Sequence, residues 1–185
     1  AGVEESILLD GEVEALQKLH TRGSVILAPT HSSHVDSIAV GWALHHLGLP
    51  PFLYGAGLNL FSNPLMGFFM NNLGAYRVDR KKNNILYKTV LKAYSVVALE
   101  KGYHNLFFPG GTRSRSGAVE RHLKLGLLGT GIDAYVRRLR AGKARPHVYV
   151  VPCTLSYPLV LEAETLIEDF LKETGKARYI ITDDE

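Results

Sequence analysis

A histidine and an aspartate separated by four residues, His31 and Asp36, are the pair in this chain best suited to moving a proton. They stand in the segment Thr30-His31-Ser32-Ser33-His34-Val35-Asp36. At about 100° per residue, helical positions five apart do not share a face, so the pair can meet only where a turn enters a helix. Asp36 would then accept a hydrogen bond from one ring nitrogen and fix the tautomer. The other nitrogen would be left to take a proton from an alcohol. An ordinary histidine titrates at about pH 6.5, which suits a general base near neutrality. The carboxylate would also stabilise the imidazolium that forms. Other readings of the loop stay open. Asp36 can cap the following helix, His31 can be a polar loop residue, and His31, His34 and Asp36 can all ligate a metal. No clear further ligand group accompanies those three, so no metal is assigned.

Two other segments concentrate positive charge. Gly74-Ala75-Tyr76-Arg77-Val78-Asp79-Arg80-Lys81-Lys82 reads as a strand that ends in basic residues. Arginine binds phosphate through two parallel hydrogen bonds, which makes Arg77 and Arg80 candidates for an anionic acceptor. Lys81 and Lys82 read better as a solvated turn. In Phe107-Phe108-Pro109-Gly110-Gly111-Thr112-Arg113-Ser114-Arg115-Ser116-Gly117 the apolar run breaks at Pro109. Gly110 and Gly111 let the backbone approach a ligand, and Arg113 and Arg115 supply charge. Thr112, Ser114 and backbone N–H groups can complete an anion nest. The segment lacks the Gly-Lys-Ser/Thr ending of a nucleotide P-loop. Because it follows a hydrophobic run directly, a floppy nucleic-acid or phosphorylation tail is disfavoured. Gly126, Gly129 and Gly131 have the reverse of the dinucleotide spacing, and helix packing explains them better.

Alternating strand-like and helix-like patterns must position these loops. Helices are expected near 10–21, with Asp10 as cap, and at 36–47, 59–72, 83–101, 124–140 and 160–173. Strands are expected at 24–29, 51–55, 74–79, 104–109, 147–156 and 177–181. Such alternation implies one α/β domain over 1–185, whether complete or part of a longer chain. Its sheet would be mostly parallel and covered by helices on both faces. Ligands in such folds bind beyond the carboxyl ends of the strands, where the loops 30–36, 79–84 and 109–117 would gather.

Bulk properties narrow the classes. With 46% hydrophobic and 21% charged residues over 185 positions, disordered and collagen-like chains are excluded. A net charge of +3 fits an anionic substrate or membrane surface and is too weak to indicate nucleic acid. Cys153 is the single cysteine, which rules out an internal disulfide and favours a reducing compartment. No run reaches the roughly 18 apolar residues of a membrane-spanning helix.

Taken together, the segments resemble the glycerolipid acyltransferase family, which includes glycerol-3-phosphate, dihydroxyacetone-phosphate and lysophosphatidic acid acyltransferases. His31-Ser-Ser-His-Val-Asp36 resembles the first family motif and Gly74-Ala-Tyr-Arg-Val-Asp-Arg80 the second. Phe108-Pro-Gly-Gly-Thr-Arg-Ser114 is similar to the third, and Val151-Pro152 to the fourth. The resemblance implies a glycerol-3-phosphate acyltransferase-like fold, with His31 as general base and Asp36 as its orienting partner. It also implies that Arg80 and Arg113 hold the acceptor phosphate, with Thr112 and Ser114 lining the site and Arg77 and Arg115 as further contacts. The donor would be an acyl-CoA or acyl-carrier-protein thioester, with no other cofactor. Residues 51–70 would supply an acyl groove or rest on a bilayer, giving peripheral contact at the cytoplasmic face of a membrane. Glycerol 3-phosphate or dihydroxyacetone phosphate is the favoured acceptor, and lysophosphatidic acid the alternative. One position departs from the pattern. The family usually has glutamate after the proline of the third motif, and this chain has Gly110, which keeps open a catalytically weak lipid- or phosphate-binding module.

Overall fold

Strand and helix alternate along the described residues, in keeping with the sequence pattern. The computed structural model describes residues 7–33, 35–62, 64–79, 81–82, 84–111, 113, 123–158, 167 and 171. Its elements are, in chain order, α1 (Val13–Arg22), β1 (Ser24–Pro29), α2 (Asp36–His46), β2 (Tyr54–Gly57), a 3-10 turn (Leu58–Phe61), α3 (Pro64–Asn72), β3 (Ala75–Val78), α4 (Ile85–Glu100), β4 (Asn105–Leu106), α5 (Gly129–Arg140) and β5 (Val148–Cys153).

β1 lies between β4 and β5 and is parallel to both. Its side chains alternate between two cores. Val25 and Leu27 pack with Val40, Leu44, Phe52 and Met70, whereas Ile26 packs with Val96, Leu99, Phe107 and Ala134. That two-residue period marks a strand buried on both sides, covered by α1, α2 and α3 on one face and by α4 and α5 on the other. β2 and β3 form a second parallel pair, from Tyr54 opposite Ala75 to Gly57 opposite Val78. Among the described residues one bridge joins the two sheets: the Leu53 N–H donates to His104 O, and the Leu106 N–H donates to Leu53 O, each at 2.8 Å. The fold is therefore α/β and parallel, but its sheet comes in two pieces.

The strand expected at 51–55 forms later because Pro50 and Pro51 have no N–H to give a ladder. The pattern at 59–72 splits into the 3-10 turn and α3, which starts on Pro64, a residue suited to the first helical position. The expected helix at 124–140 begins only at Gly129. Asp10 does not cap α1, because its Oδ1 accepts from the neighbouring Gly11 N–H at 2.8 Å. Of the three glycines read as packing positions, Gly131 fits, since a Cβ there would come within 2.8 Å of Ile26. Gly74, with φ at +83°, turns the chain from α3 into β3; a Cβ there would lie 2.6 Å from Phe52 O. The expected elements at 160–173 and 177–181 lie outside the described residues, apart from positions 167 and 171.

At the amino end of the sheet, buried His104 accepts a hydrogen bond from the Val25 N–H at its Nδ1 (3.0 Å) and packs against Phe52. Burial, reinforced by His20 and Arg138, pushes its pKa down to about 4. The unfolded chain therefore binds a proton that the folded chain refuses. Stability is full above about pH 6.5 and falls as the pH drops toward 4. Unfolding at pH 5 should be about 1–2 kcal/mol easier than at pH 7 through this residue. His104→Asn, which keeps an acceptor for Val25, should flatten that part of the thermal-melt pH dependence. An unchanged slope would show that His104 is not its source.

Candidate active site

Because the described strand pairings are all parallel, the carboxyl ends of β1, β3 and β4 open on one edge. The loop after β1 is clamped first. The Thr30 N–H donates to Cys153 O at 3.0 Å, and the Leu155 N–H donates to Thr30 Oγ1 at 2.8 Å. The chain then turns sharply, with Ser33 Oγ accepting from the Val35 N–H, and enters α2 at Asp36. This turn brings His31 and Asp36 together, with His31 Nδ1 2.7 Å from Asp36 Oδ2.

Asp36 is completely buried. Its Oδ2 also accepts from the backbone N–H groups of Ser32 (2.7 Å) and Ser33 (3.0 Å), and its Oδ1 accepts from Tyr157 OH at 2.7 Å. Burial alone would raise its pKa. The bonds from His31, Tyr157, Ser33 and Ser32 outweigh that effect and hold the carboxyl below its usual value. The acceptor atoms thus face the preceding loop and Tyr157, which sets aside the reading of Asp36 as a simple cap for α2. An ionised Asp36 draws the Nδ1–H tautomer of His31 toward itself, leaving Nε2 with its lone pair. Among the described residues Nε2 has no hydrogen-bond partner. The ring stacks on Phe108 with centroids 4.2 Å apart, which fixes its plane. Among the described residues, no three His, Cys, Asp or Glu side chains gather as a metal site would need.

The third loop reaches the pair through that same Phe108. The Gly111 N–H donates to Phe108 O at 3.0 Å, closing a turn over Pro109 and Gly110. This N–H is spent inside the turn and does not serve an anion nest. Gly111 has φ at +75°, and the Lys124 side chain lies over it, so that a Cβ at 111 would fall 2.6 Å from Lys124 Nζ. The Lys124 N–H donates to Pro109 O at 2.7 Å, fastening the return segment. Half-buried Arg113 stands two residues beyond Gly111. Thr112, Ser114 and Arg115 lie outside the described residues, as do His34 and Arg80.

The second loop is less engaged. The Arg77 guanidinium sits over the Phe61 ring at 5.0 Å and makes no hydrogen bond or ion pair with His31 or Asp36. Asp79 organises the turn that follows, since its Oδ1 accepts from the Lys81 N–H at 3.0 Å and its own N–H donates to Tyr87 OH at 2.8 Å. Lys81 and Lys82 are exposed there, as a solvated basic turn would have them.

Tyr157, Lys124 and the stacking role of Phe108 are not legible from spacing. Tyr157 is 121 residues from Asp36, and Lys124 falls inside a segment whose pattern reads as helix. A tyrosine just past the strand that carries Val151-Pro152 is the only signal for the first.

The chain is 32% identical over 158 residues to the glycerol-3-phosphate acyltransferase of Pasteurella multocida (strain Pm70), covering 84% of this chain and 19% of that protein. It is 30% identical over 169 residues to the protein of the same name from Pseudomonas paraeruginosa (strain DSM 24068 / PA7), covering 91% and 19%. It thus spans about a fifth of the length of these curated relatives. The crystal structure of a 1-acyl-sn-glycerophosphate (LPA) acyltransferase from Thermotoga maritima superposes with a TM-score of 0.44 at 18% identity, over 89% of this chain and 76% of that one. Residues 11–156 match the family model described as Acyltransferase, and the chain belongs to that family.

Proposed function

We propose that the chain transfers a fatty acyl group from an acyl thioester to a hydroxyl of glycerol 3-phosphate or a close phosphate-bearing acceptor. The observation that carries this is the 2.7 Å contact between His31 and a fully buried, fourfold hydrogen-bonded Asp36. His31 Nε2 takes the hydroxyl proton as the acceptor oxygen bonds to the thioester carbonyl carbon. The tetrahedral oxyanion then collapses, the C–S bond breaks, and the leaving thiolate takes the proton from the imidazolium.

Arg113 and Lys124 hold the acceptor phosphate beside the Gly111 turn, together with Arg80, Thr112, Ser114 and Arg115. A cavity of about 210 Å³ next to α2, lined by Ser37, Val40, Leu44, Phe52 and Leu73, supports a donor with an apolar tail. The tail is carried by coenzyme A or an acyl carrier protein. Exposed Ile85 and Leu86, flanked in sequence by Lys81, Lys82 and Lys88, together with exposed Phe68 on α3, support peripheral contact with the cytoplasmic face of a membrane. No described helix is long and apolar enough to cross one. Co-sedimentation with anionic but not neutral vesicles is the expected behaviour.

The function is tested by a panel of glycerol 3-phosphate, dihydroxyacetone phosphate and lysophosphatidic acid with one acyl thioester. Product is expected with the first two. Product from lysophosphatidic acid alone would favour the other acceptor class. In that assay Arg113→Ala should raise the acceptor KM about tenfold or more and leave the thioester KM unchanged. The reverse pattern would remove Arg113 from the acceptor site. Gly110, in place of the family glutamate, favours a second reading as a catalytically weak lipid- or phosphate-binding module. That reading holds if the native chain and His31→Ala share a near-zero rate while anionic lipid still binds.

A further inference from the structure

We infer that Tyr157 is a positioning residue that sets the basicity of His31 through Asp36, so that the segment beyond β5 tunes the proton-transfer step. This inference rests on His31 being the general base. Two independent pieces of geometry lead to it. The first is the division of labour on the carboxylate. Oδ2 is shared by His31 Nδ1 and the N–H groups of Ser32 and Ser33, whereas Oδ1 meets the Tyr157 hydroxyl at 2.7 Å. Tyr157 is the only side chain besides His31 that hydrogen-bonds Asp36 among the described residues. The second is the way Tyr157 is delivered. The Thr30 N–H donates to Cys153 O, the Leu155 N–H donates to Thr30 Oγ1, and that hydroxyl lies 3.3 Å from Leu155 O. Residue 30, next to the base, is therefore stitched to the segment that carries the tyrosine.

The chemistry of the link follows from the charge. A phenol that donates to a carboxylate draws off part of its negative charge, and in a buried site water does not replace the lost interaction. Asp36 with its Tyr157 bond is a weaker partner for the imidazolium than Asp36 without it. Among the described residues, the titratable groups that bond Asp36 are His31 from its own loop and Tyr157 from beyond β5. Its remaining partners are the uncharged N–H groups of Ser32 and Ser33. Phe108 covers a face of the His31 ring and carries no charge. Deleting the phenol hydroxyl leaves Asp36 with more charge to offer His31, so the imidazolium persists to higher pH and less free base is present near neutrality.

The test uses the full chain carrying Tyr157→Phe, with acyl transfer measured from pH 5 to pH 9 beside the native protein and His31→Ala. The acidic limb of the kcat/KM profile should move up by about half to one pH unit, with both substrate KM values retained. A tyrosine that only props the loop would lower the rate at every pH without moving the limb, and that outcome would overturn the inference. If Tyr157→Phe fails to fold, 3-fluorotyrosine at 157, an isosteric and more acidic donor, decides the matter. Its limb should move to lower pH, and an unmoved limb counts against the proposal. Near-native activity of His31→Ala would instead remove the general base itself.

Discussion

Replacing His31 with alanine should lower kcat for acyl transfer by at least about 10²-fold, the low end of what a positioned general base contributes. As a base rather than an anchor, the ring that is removed stacks on Phe108 and bonds Asp36, so neither substrate has to lose affinity. The loss should therefore appear in kcat, with KM for thioester and acceptor held within a few-fold. A rate drop that disappears at saturating acceptor would make His31 a binding residue. Folding should survive, since the His31 side chain is at the edge of the site with 16% of its surface exposed. The cost falls on Asp36, which loses one of four hydrogen bonds and keeps the other three.

Asp36→Asn should cost as much or more, about 10² to 10⁴-fold in kcat, for a different reason. Asparagine can keep its oxygen toward His31, Ser32 and Ser33 and turn its amide toward Tyr157, whose hydroxyl can accept as well as donate. The shape of the site is preserved and only the charge is removed. Without it, nothing opposite Nδ1 stabilises the imidazolium, and the tautomer is no longer held with Nε2 bare. A variant within threefold of native activity would show that Asp36 serves the loop and not the base. Stability carries its own signature. The Asp36 pKa lies below its ordinary value in the folded state, so its contribution is present above about pH 4 and is lost as the pH falls through the folded value. Asp36→Asn should lack that acid-dependent portion.

The sequence made the His31–Asp36 pair visible and left its support hidden. A histidine and an aspartate five apart do not define a site until a turn folds them together, and the turn depends on Ser33 and on two N–H groups that no side-chain pattern reveals. β1 was legible to the residue because its run is apolar on both faces of a sheet. β2 was displaced because an apolar, proline-led segment looks like a strand before it can pair like one. The third loop was read from its glycines and arginines, and its described part is the turn closed by Phe108 and Gly111. Lys124 entered it by tertiary return, a contact between residues 13 positions apart across a turn. Tyr157 is the extreme case, since only parallel pairing of β5 with β1 brings it beside Asp36. Arg77 was read from its residue type alone. Its type suits phosphate, yet its guanidinium stacks on Phe61.

The measurement closest to the central claim is direct detection of acylated glycerol 3-phosphate after incubating the full chain with an acyl thioester and glycerol 3-phosphate. Product that accumulates with the native chain and falls at least about 10²-fold with His31→Ala is the expected result. Equal product from both proteins, or thioester cleavage that ignores the acceptor, would contradict a His31-driven transfer to that hydroxyl.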